Sequence, residues 1–382
     1  MGRNRRARRA WLLTVAATTL AVGGCTSTTP PATESAFESA SPTETAAARP
    51  SVTNTVFQFE SEELAGNDLG VSSQITVGVL LPDAYFESDD PLPVLYFLPG
   101  YTATQTAADM PDVIGEALNA TEPMIVVTVT GANELGGGWY TDSSATGRWE
   151  QALVAEIVPY IDDHYRTVES REARGLAGHS MGGYGALTIG MKHADVFGSV
   201  FALAPAMAGE QGIDVPQLFG SESRARSVLA SMESLDGLDG EALLDEMVTS
   251  QANFEFSYGT AFAPSPEPPY FRYPYSLANG EIVRDDAVWA QWQAGFGNTE
   301  VELARHRDDL QSLVALGLDC GVNDELTWIV EGCEFIDAEL TELEVPHVYT
   351  LHEGNHTSLF AQRLPDVMLP FFAEVFAEDG QP

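Results

Sequence analysis

Gly178-His179-Ser180-Met181-Gly182 sets a serine between two glycines at G-x-S-x-G spacing. That pattern places a serine on a sharp strand-to-helix turn, its hydroxyl exposed to attack an acyl carbonyl. The apolar stretch Gly175–Gly178 before it and the small-residue run Gly182–Ala186 after it supply the strand and the helix. Ser180 is therefore the candidate nucleophile, and a helix starting at Met181 points its positive end at the reacting centre. A serine hydroxyl needs a base, and on such a turn the chain order is serine, acid, histidine. His306, His347, His352 and His356 lie far enough downstream. His356 falls in a loop, Glu353-Gly354-Asn355-His356, just past a strand, and is the preferred base; His352 is the alternative. For the acid, Asp324 lies beyond a glycine turn in Asp319-Cys320-Gly321-Val322-Asn323-Asp324 and can reach towards the base. Asp319 is the alternative, with a turn-stabilising role as its other reading. The oxyanion of acyl transfer needs two backbone N–H donors. Met181 supplies one. The loop Pro99-Gly100-Tyr101 supplies the other through Tyr101, with Thr102 next in line.

These residues need a sheet to present them. Val94–Leu98 and Met124–Thr130 are continuous apolar runs, as expected of strands buried on both faces. Thr55–Phe59, Gln74–Leu81, Arg174–Gly178, Ser199–Ala204, Ser312–Asp319 and His347–Leu351 are further expected strands. Helical spacing runs over Trp149–His164, Met181–His193, Phe335–Leu343 and Leu359–Ala377. The alternation argues for an α/β fold with a mostly parallel, doubly covered sheet. It breaks over about 206–301, too long for a plain connection. This stretch reads as a lid-like insertion over the C-terminal edge of the sheet, where ligands bind in such folds. Its Tyr270, Phe271, Tyr273 and Tyr275 are candidates to line an apolar pocket.

The N-terminus reads as an export signal. Arg3, Arg5, Arg6, Arg8 and Arg9 form a basic start and Trp11–Val22 an apolar core, too short to span a bilayer comfortably. Val22-Gly23-Gly24-Cys25 resembles a lipobox, which implies cleavage of residues 1–24 and a lipid on Cys25 that anchors the chain outside the cytoplasm. Residues 25–51, rich in Ser, Thr, Pro and Ala, are a flexible tether to a domain over 52–382. In an exported chain the remaining pair, Cys320 and Cys333, is expected to be a disulfide. The formal charge of −38 becomes five units more negative once the signal's arginines are gone, and Lys192 is the only lysine. Such a surface excludes nucleic acid and anionic headgroups as partners and favours high salt. No His, Cys and carboxylate cluster has ligand spacing, so no metal or cofactor is expected.

Beyond the elbow, the ordered set Leu98–Tyr101, Gly138–Asp142, Arg148–Glu150, Gly178–Gly183, Asp319–Asp324 and Gly354–His356 resembles the α/β-hydrolase esterase family. That family includes esterase D-like S-formylglutathione hydrolases, feruloyl and acetylxylan esterases, and mycolyltransferases. The resemblance spans about 94–376. It implies Ser180, Asp324 and His356 as a triad, Tyr101 and Met181 as the oxyanion donors, and Trp139 and Tyr140 as an aromatic pair near the substrate; core packing is the other reading of that pair. The activity implied is a serine carboxylesterase working through an acyl-enzyme. Its alternatives are acyl transfer of the mycolyl type, a glutathione thioesterase, which export argues against, and a non-catalytic binding protein. The insertion differs among such proteins, so the ester itself does not carry over.

Overall fold

The computed structural model describes residues 52–105 and 111–378. The signal, Cys25 and the tether lie outside the described residues. Eight strands form one sheet: β1 (Val52–Glu60), β2 (Gln74–Pro82), β3 (Val94–Leu98), β4 (Ile125–Val129), β5 (Arg174–His179), β6 (Ser199–Leu203), β7 (Ala315–Gly321) and β8 (Val348–His352). Their spatial order is β1-β2-β4-β3-β5-β6-β7-β8. β1–β2 and β2–β4 pair antiparallel, and every later pair is parallel.

The strand period explains the layering. In β3, Val94, Tyr96 and Leu98 face one core, while Leu95 and Phe97 face another. All five are buried, because helices cover both faces. On one side lie a helix running through 149–164, with a π-helical stretch at Ala152–Ile157, and the elbow helix Met181–Lys192. On the other lie Pro111–Ala120 and the closing helical segment, which starts at Phe360–Arg363 and ends at Leu369–Glu378.

Three expected elements shift. The first strand, expected at Thr55–Phe59, runs over Val52–Glu60. The strand expected at Ser312 begins at Ala315, because the Ser312 N–H still bonds the Asp308 and Asp309 carbonyls at the end of helix Arg307–Gln311. The helix expected from Phe335 begins at Thr327. Its early turns carry Gly332, where a Cβ would lie 1.8 Å from the Met207 carbonyl oxygen; close packing, not helix propensity, selects that residue.

Between β6 and β7 the chain forms helices Glu222–Met232, Gly240–Thr249, Asn253–Phe262, Asp286–Gln293 and Thr299–Arg305, and a hairpin of Tyr275–Ala278 with Glu281–Arg284. Buried Phe256, Tyr258, Trp292 and Phe296 merge this stretch into the main core. Trp139 Nε1 donates to Ser257 Oγ at 3.0 Å, and Ser143 Oγ donates to the Thr260 carbonyl at 2.5 Å.

Charge is distributed unevenly. Of the twelve Lys and Arg among the described residues, ten have a carboxylate oxygen within 3.6 Å. The other two are also engaged: Arg166 lies over the Tyr85 ring and donates to Ser88 O, and Arg272 donates to Gln291. No described helix is long and apolar enough to cross a membrane.

Candidate active site

Ser180 occupies the turn between β5 and the helix Met181–Lys192 at φ 57° and ψ −115°, a strained backbone for a non-glycine residue. The flanking glycines are what allow it. A Cβ on Gly178 would stand 2.1 Å from Gly182 O, and one on Gly182 would stand 1.8 Å from Leu98 O. The elbow is thus wedged against the end of β3. The Ser180 N–H donates to Leu203 O at 2.9 Å, and its carbonyl accepts from Tyr184 and Ala206. With the backbone so held, the side chain projects into a cavity.

Three predicted residues meet there. His356 Nε2 is 2.9 Å from Ser180 Oγ, and His356 Nδ1 is 2.6 Å from Asp324 Oδ2. An ionised carboxylate only accepts, so Nδ1 carries the proton and Nε2 presents its lone pair to the serine hydroxyl. Asp324 is almost fully buried, and its other oxygen accepts from the Leu326 N–H at 2.8 Å. Asp324 lies in the loop after β7 and His356 in the loop after β8, so neighbouring parallel strands deliver both side chains to the same edge.

The rivals pair with each other instead. His352 Nε2 lies 3.3 Å from Asp319 Oδ1, and neither residue lines the cavity that Ser180 enters. Arg363 Nε donates to Asp319 Oδ1 at 3.0 Å, and Arg363 Nη2 donates to Oδ2.

The Tyr101 and Met181 N–H groups have no acceptor among the described residues. Met181 opens its helix, so no carbonyl precedes it by a turn. Gly100 brings the other donor close: a Cβ there would sit 3.4 Å from Ser180 Cβ. Thr102, next in line as a donor, is spent, since its N–H bonds Gly136 O at 2.9 Å. The Tyr101 ring stacks on Trp139, and its hydroxyl donates to Leu135 O at 2.5 Å. Burial pushes the phenol up to about 12, so it stays protonated.

The cavity is about 470 Å³ and chiefly aromatic. Trp139 lines it, as do Phe97 and Phe360 from the body, Phe254 and Phe296 from the 206–301 stretch, and Trp328 from helix Thr327–Glu342. Among the described residues no Lys or Arg lines it. Tyr140, expected beside Trp139 at the substrate, does not reach it. Its buried hydroxyl is drawn underneath to Val129 O at 3.0 Å and Pro99 O at 3.1 Å. The expected lining by Tyr270, Phe271, Tyr273 and Tyr275 is corrected too. Phe271 packs on Phe256, Tyr275 reaches Phe219 O, Tyr270 reaches Asp239, and Tyr273 rests on Trp292. Phe254 and Phe296 carried no sequence signal beyond being aromatic, because only tertiary packing decides which rings face the serine.

His179 was missed as well. Its Nε2 is 2.8 Å from the His356 carbonyl, which only accepts, so Nε2 carries the proton. Burial, reinforced by His356, pushes its pKa down to about 4 and keeps the ring neutral. Cys320 and Cys333 form a disulfide between β7 and the helix Thr327–Glu342, across the loop that holds Asp324. No group of three or more His, Cys, Asp or Glu among the described residues is arranged to hold a metal.

Residues 70–317 match the model of the family described as "Putative esterase". Esterase Rv1288 of Mycobacterium tuberculosis is 38% identical over 128 residues, 32% of this chain and 27% of that protein. The S-formylglutathione hydrolase of Paracoccus denitrificans is 34% identical over 131 residues, 30% of this chain and 46% of that protein. The chain thus spans less than half the length of these curated relatives. Among solved structures, a ferulic acid esterase superposes with a TM-score of 0.56 at 20% identity, covering 85% of this chain and 98% of its own. An S-formylglutathione hydrolase from Agrobacterium tumefaciens gives 0.53 at 19%, covering 86% and 97%. At such identities the likeness speaks to the fold, an α/β-hydrolase.

Proposed function

Because this chain belongs to the esterase family, we propose that it is a serine carboxylesterase that works through an acyl-enzyme on Ser180. One observation carries the reading: Asp324, His356 and Ser180 stand in one hydrogen-bonded line that ends at an aromatic cavity.

The geometry supports the following steps. His356 Nε2 takes the Ser180 proton as Oγ bonds to the ester carbonyl carbon. The carbonyl oxygen, now an anion, is received by the Tyr101 and Met181 N–H groups, each worth roughly 10²–10³ in turnover. Asp324 keeps the imidazole in its Nδ1–H form and stabilises the imidazolium. His356 then protonates the departing alkoxide, the alcohol leaves, and water repeats the sequence to free the acid. The cavity's aromatic walls favour an apolar acyl or aryl group. That no Lys or Arg among the described residues lines the cavity argues against the anionic glutathione moiety. Transfer to another acceptor would use the same residues, and product analysis with and without a sugar acceptor separates the two.

The test compares wild type with Ser180→Ala on p-nitrophenyl esters from acetate to laurate, alongside fluorophosphonate labelling. Turnover and labelling should vanish together in the variant. A wild type with neither would sink the reading.

Export and lipid attachment at Cys25 belong to the same proposal, on the sequence pattern alone. Incorporation of labelled fatty acid in cells should be lost in Cys25→Ala; equal labelling of both would remove the anchor.

A further inference from the structure

We propose that Asp319 is a positioning residue for His356: one buried carboxylate that grips both ends of the segment carrying the base. The inference rests on the triad reading above. Asp319 lies on β7, five residues before Asp324, and is 1% exposed. Its Oδ1 faces His352 Nε2 at 3.3 Å and accepts from Arg363 Nε at 3.0 Å, while Oδ2 accepts from Arg363 Nη2. His352 is the last residue of β8, and Arg363 closes the short helix Phe360–Arg363. The loop with His356 is strung between these two attachments.

The tautomer of His352 fits this role. Its Nδ1 accepts the Gly354 N–H at 3.0 Å, so Nε2 holds the proton and turns its positive edge to the Asp319 carboxylate, 3.3 Å away. Halfway along, His179 Nε2–H holds the His356 carbonyl at 2.8 Å. The loop's own bonds, from the Thr357 and Ser358 N–H groups to Asn355 Oδ1, shape a turn. Such local bonds travel with the loop. The Asp319 contacts and the His179 bond fix where that turn sits relative to Ser180.

Stability alone does not account for an ion pair here. Burying a carboxylate and a guanidinium costs about what their attraction returns, and an apolar pair of similar volume often does as well. A fixed bidentate geometry is what the ions add. Asp319 touches no reacting atom and lies outside the cavity lining. Its effect on chemistry passes through the base, where a displacement of about 1 Å costs up to roughly 10²-fold.

The test uses two variants of opposite charge, Asp319→Asn and Arg363→Met. Through-space electrostatics alone would move His356 basicity, and with it kcat, in opposite directions. A clamp predicts the same direction for both. Per-site kcat on p-nitrophenyl acetate should fall about 10–100-fold in each, with KM within about twofold. The double variant should be no worse than Asp319→Asn. Competent sites are counted by end-point fluorophosphonate stoichiometry, so misfolded protein does not enter the rate. If Asp319→Asn does not fold, Arg363→Met decides by itself. Unchanged per-site kcat, or changes of opposite sign, overturns the proposal while a live wild type leaves the triad standing. A wild type that neither turns over nor labels overturns the triad reading and the clamp with it.

Discussion

Gly321 and Gly354 sit back to back: a methyl group on Gly321 would meet the Gly354 carbonyl oxygen at 2.4 Å. Around this contact the loops that carry Asp324 and His356 are bonded together. The Val322 N–H donates to His352 O at 2.9 Å, the Asn323 N–H to Gly354 O at 3.1 Å, and Asn323 Nδ2 to Glu353 O at 2.7 Å.

Gly321→Ala should therefore pry the dyad apart. We expect a stability loss of about 1–3 kcal/mol from overpacking. Per-site kcat should drop at least about tenfold, because the Asp324–His356 bond stretches. Thermal melts and ester turnover on titrated sites measure both. Wild-type kcat in a folded variant would mean that the loops adjust independently.

Asp324→Asn leaves shape intact but removes the acceptor that selects the Nδ1–H tautomer. Turnover should fall by about 10⁴-fold with KM little changed. The same substitution at Asp319 should cost far less, about 10–100-fold. A reversal of that ranking in steady-state kinetics would reassign the acid.

Phe254 and Phe296 enter the cavity from the 206–301 stretch. Phe254→Ala should alter the acyl-length profile, lowering kcat/KM for long esters about tenfold, the weight of one to two lost apolar contacts. Acetate should stay within about twofold. Tyr270→Ala should leave the whole profile unchanged, since Tyr270 lies outside the lining. A p-nitrophenyl ester series from acetate to laurate reads both variants.

His179 should make stability depend on pH. Its folded-state pKa of about 4 lies below the free value of 6.5. Between these values the unfolded chain binds a proton that the folded one refuses, so stability falls as pH drops through this window and levels off below it. His179→Gln keeps an amide donor for the His356 carbonyl and should flatten the slope by up to about one proton. Urea titrations across the window give the slopes. Parallel slopes for the two proteins would remove His179 as the source.

The disulfide joins residues 13 apart in sequence. Replacing Cys320 and Cys333 by Ala should lower stability by about 3 kcal/mol in the chain-entropy account. Because the closed loop contains Asp324, kcat should fall before the protein melts as temperature rises. Coincident loss of activity and structure would restrict the bond to a purely global role.

The elbow, the strands on either side of it, and the loop positions of Asp324 and His356 were legible because local chemistry dictates them. Gly178 and Gly182 leave room for a turn that no other residue permits there. The runs at 94–98 and 124–130 read as doubly buried strands because their apolar residues do not alternate. The cavity wall was not legible. Tyr140 and Tyr270 differ from Trp139 and Phe254 only in which neighbour each ring meets after folding. The pairing of Asp319 with His352 was hidden for a related reason. The sequence offers two aspartates and two histidines, and strand register alone decides which meets which.

The cations of the domain are already spoken for, and none of them lines the cavity. An ester enters such a cavity uncharged. The proposed hydrolysis would turn it into a carboxylate, which would find no Lys or Arg in the walls among the described residues and an excess of like charge outside them. Under the proposed reaction each turnover would convert a welcome ligand into an unwelcome one, so the cycle would carry its own means of clearing the site and accumulating product acid would be a poor brake on it.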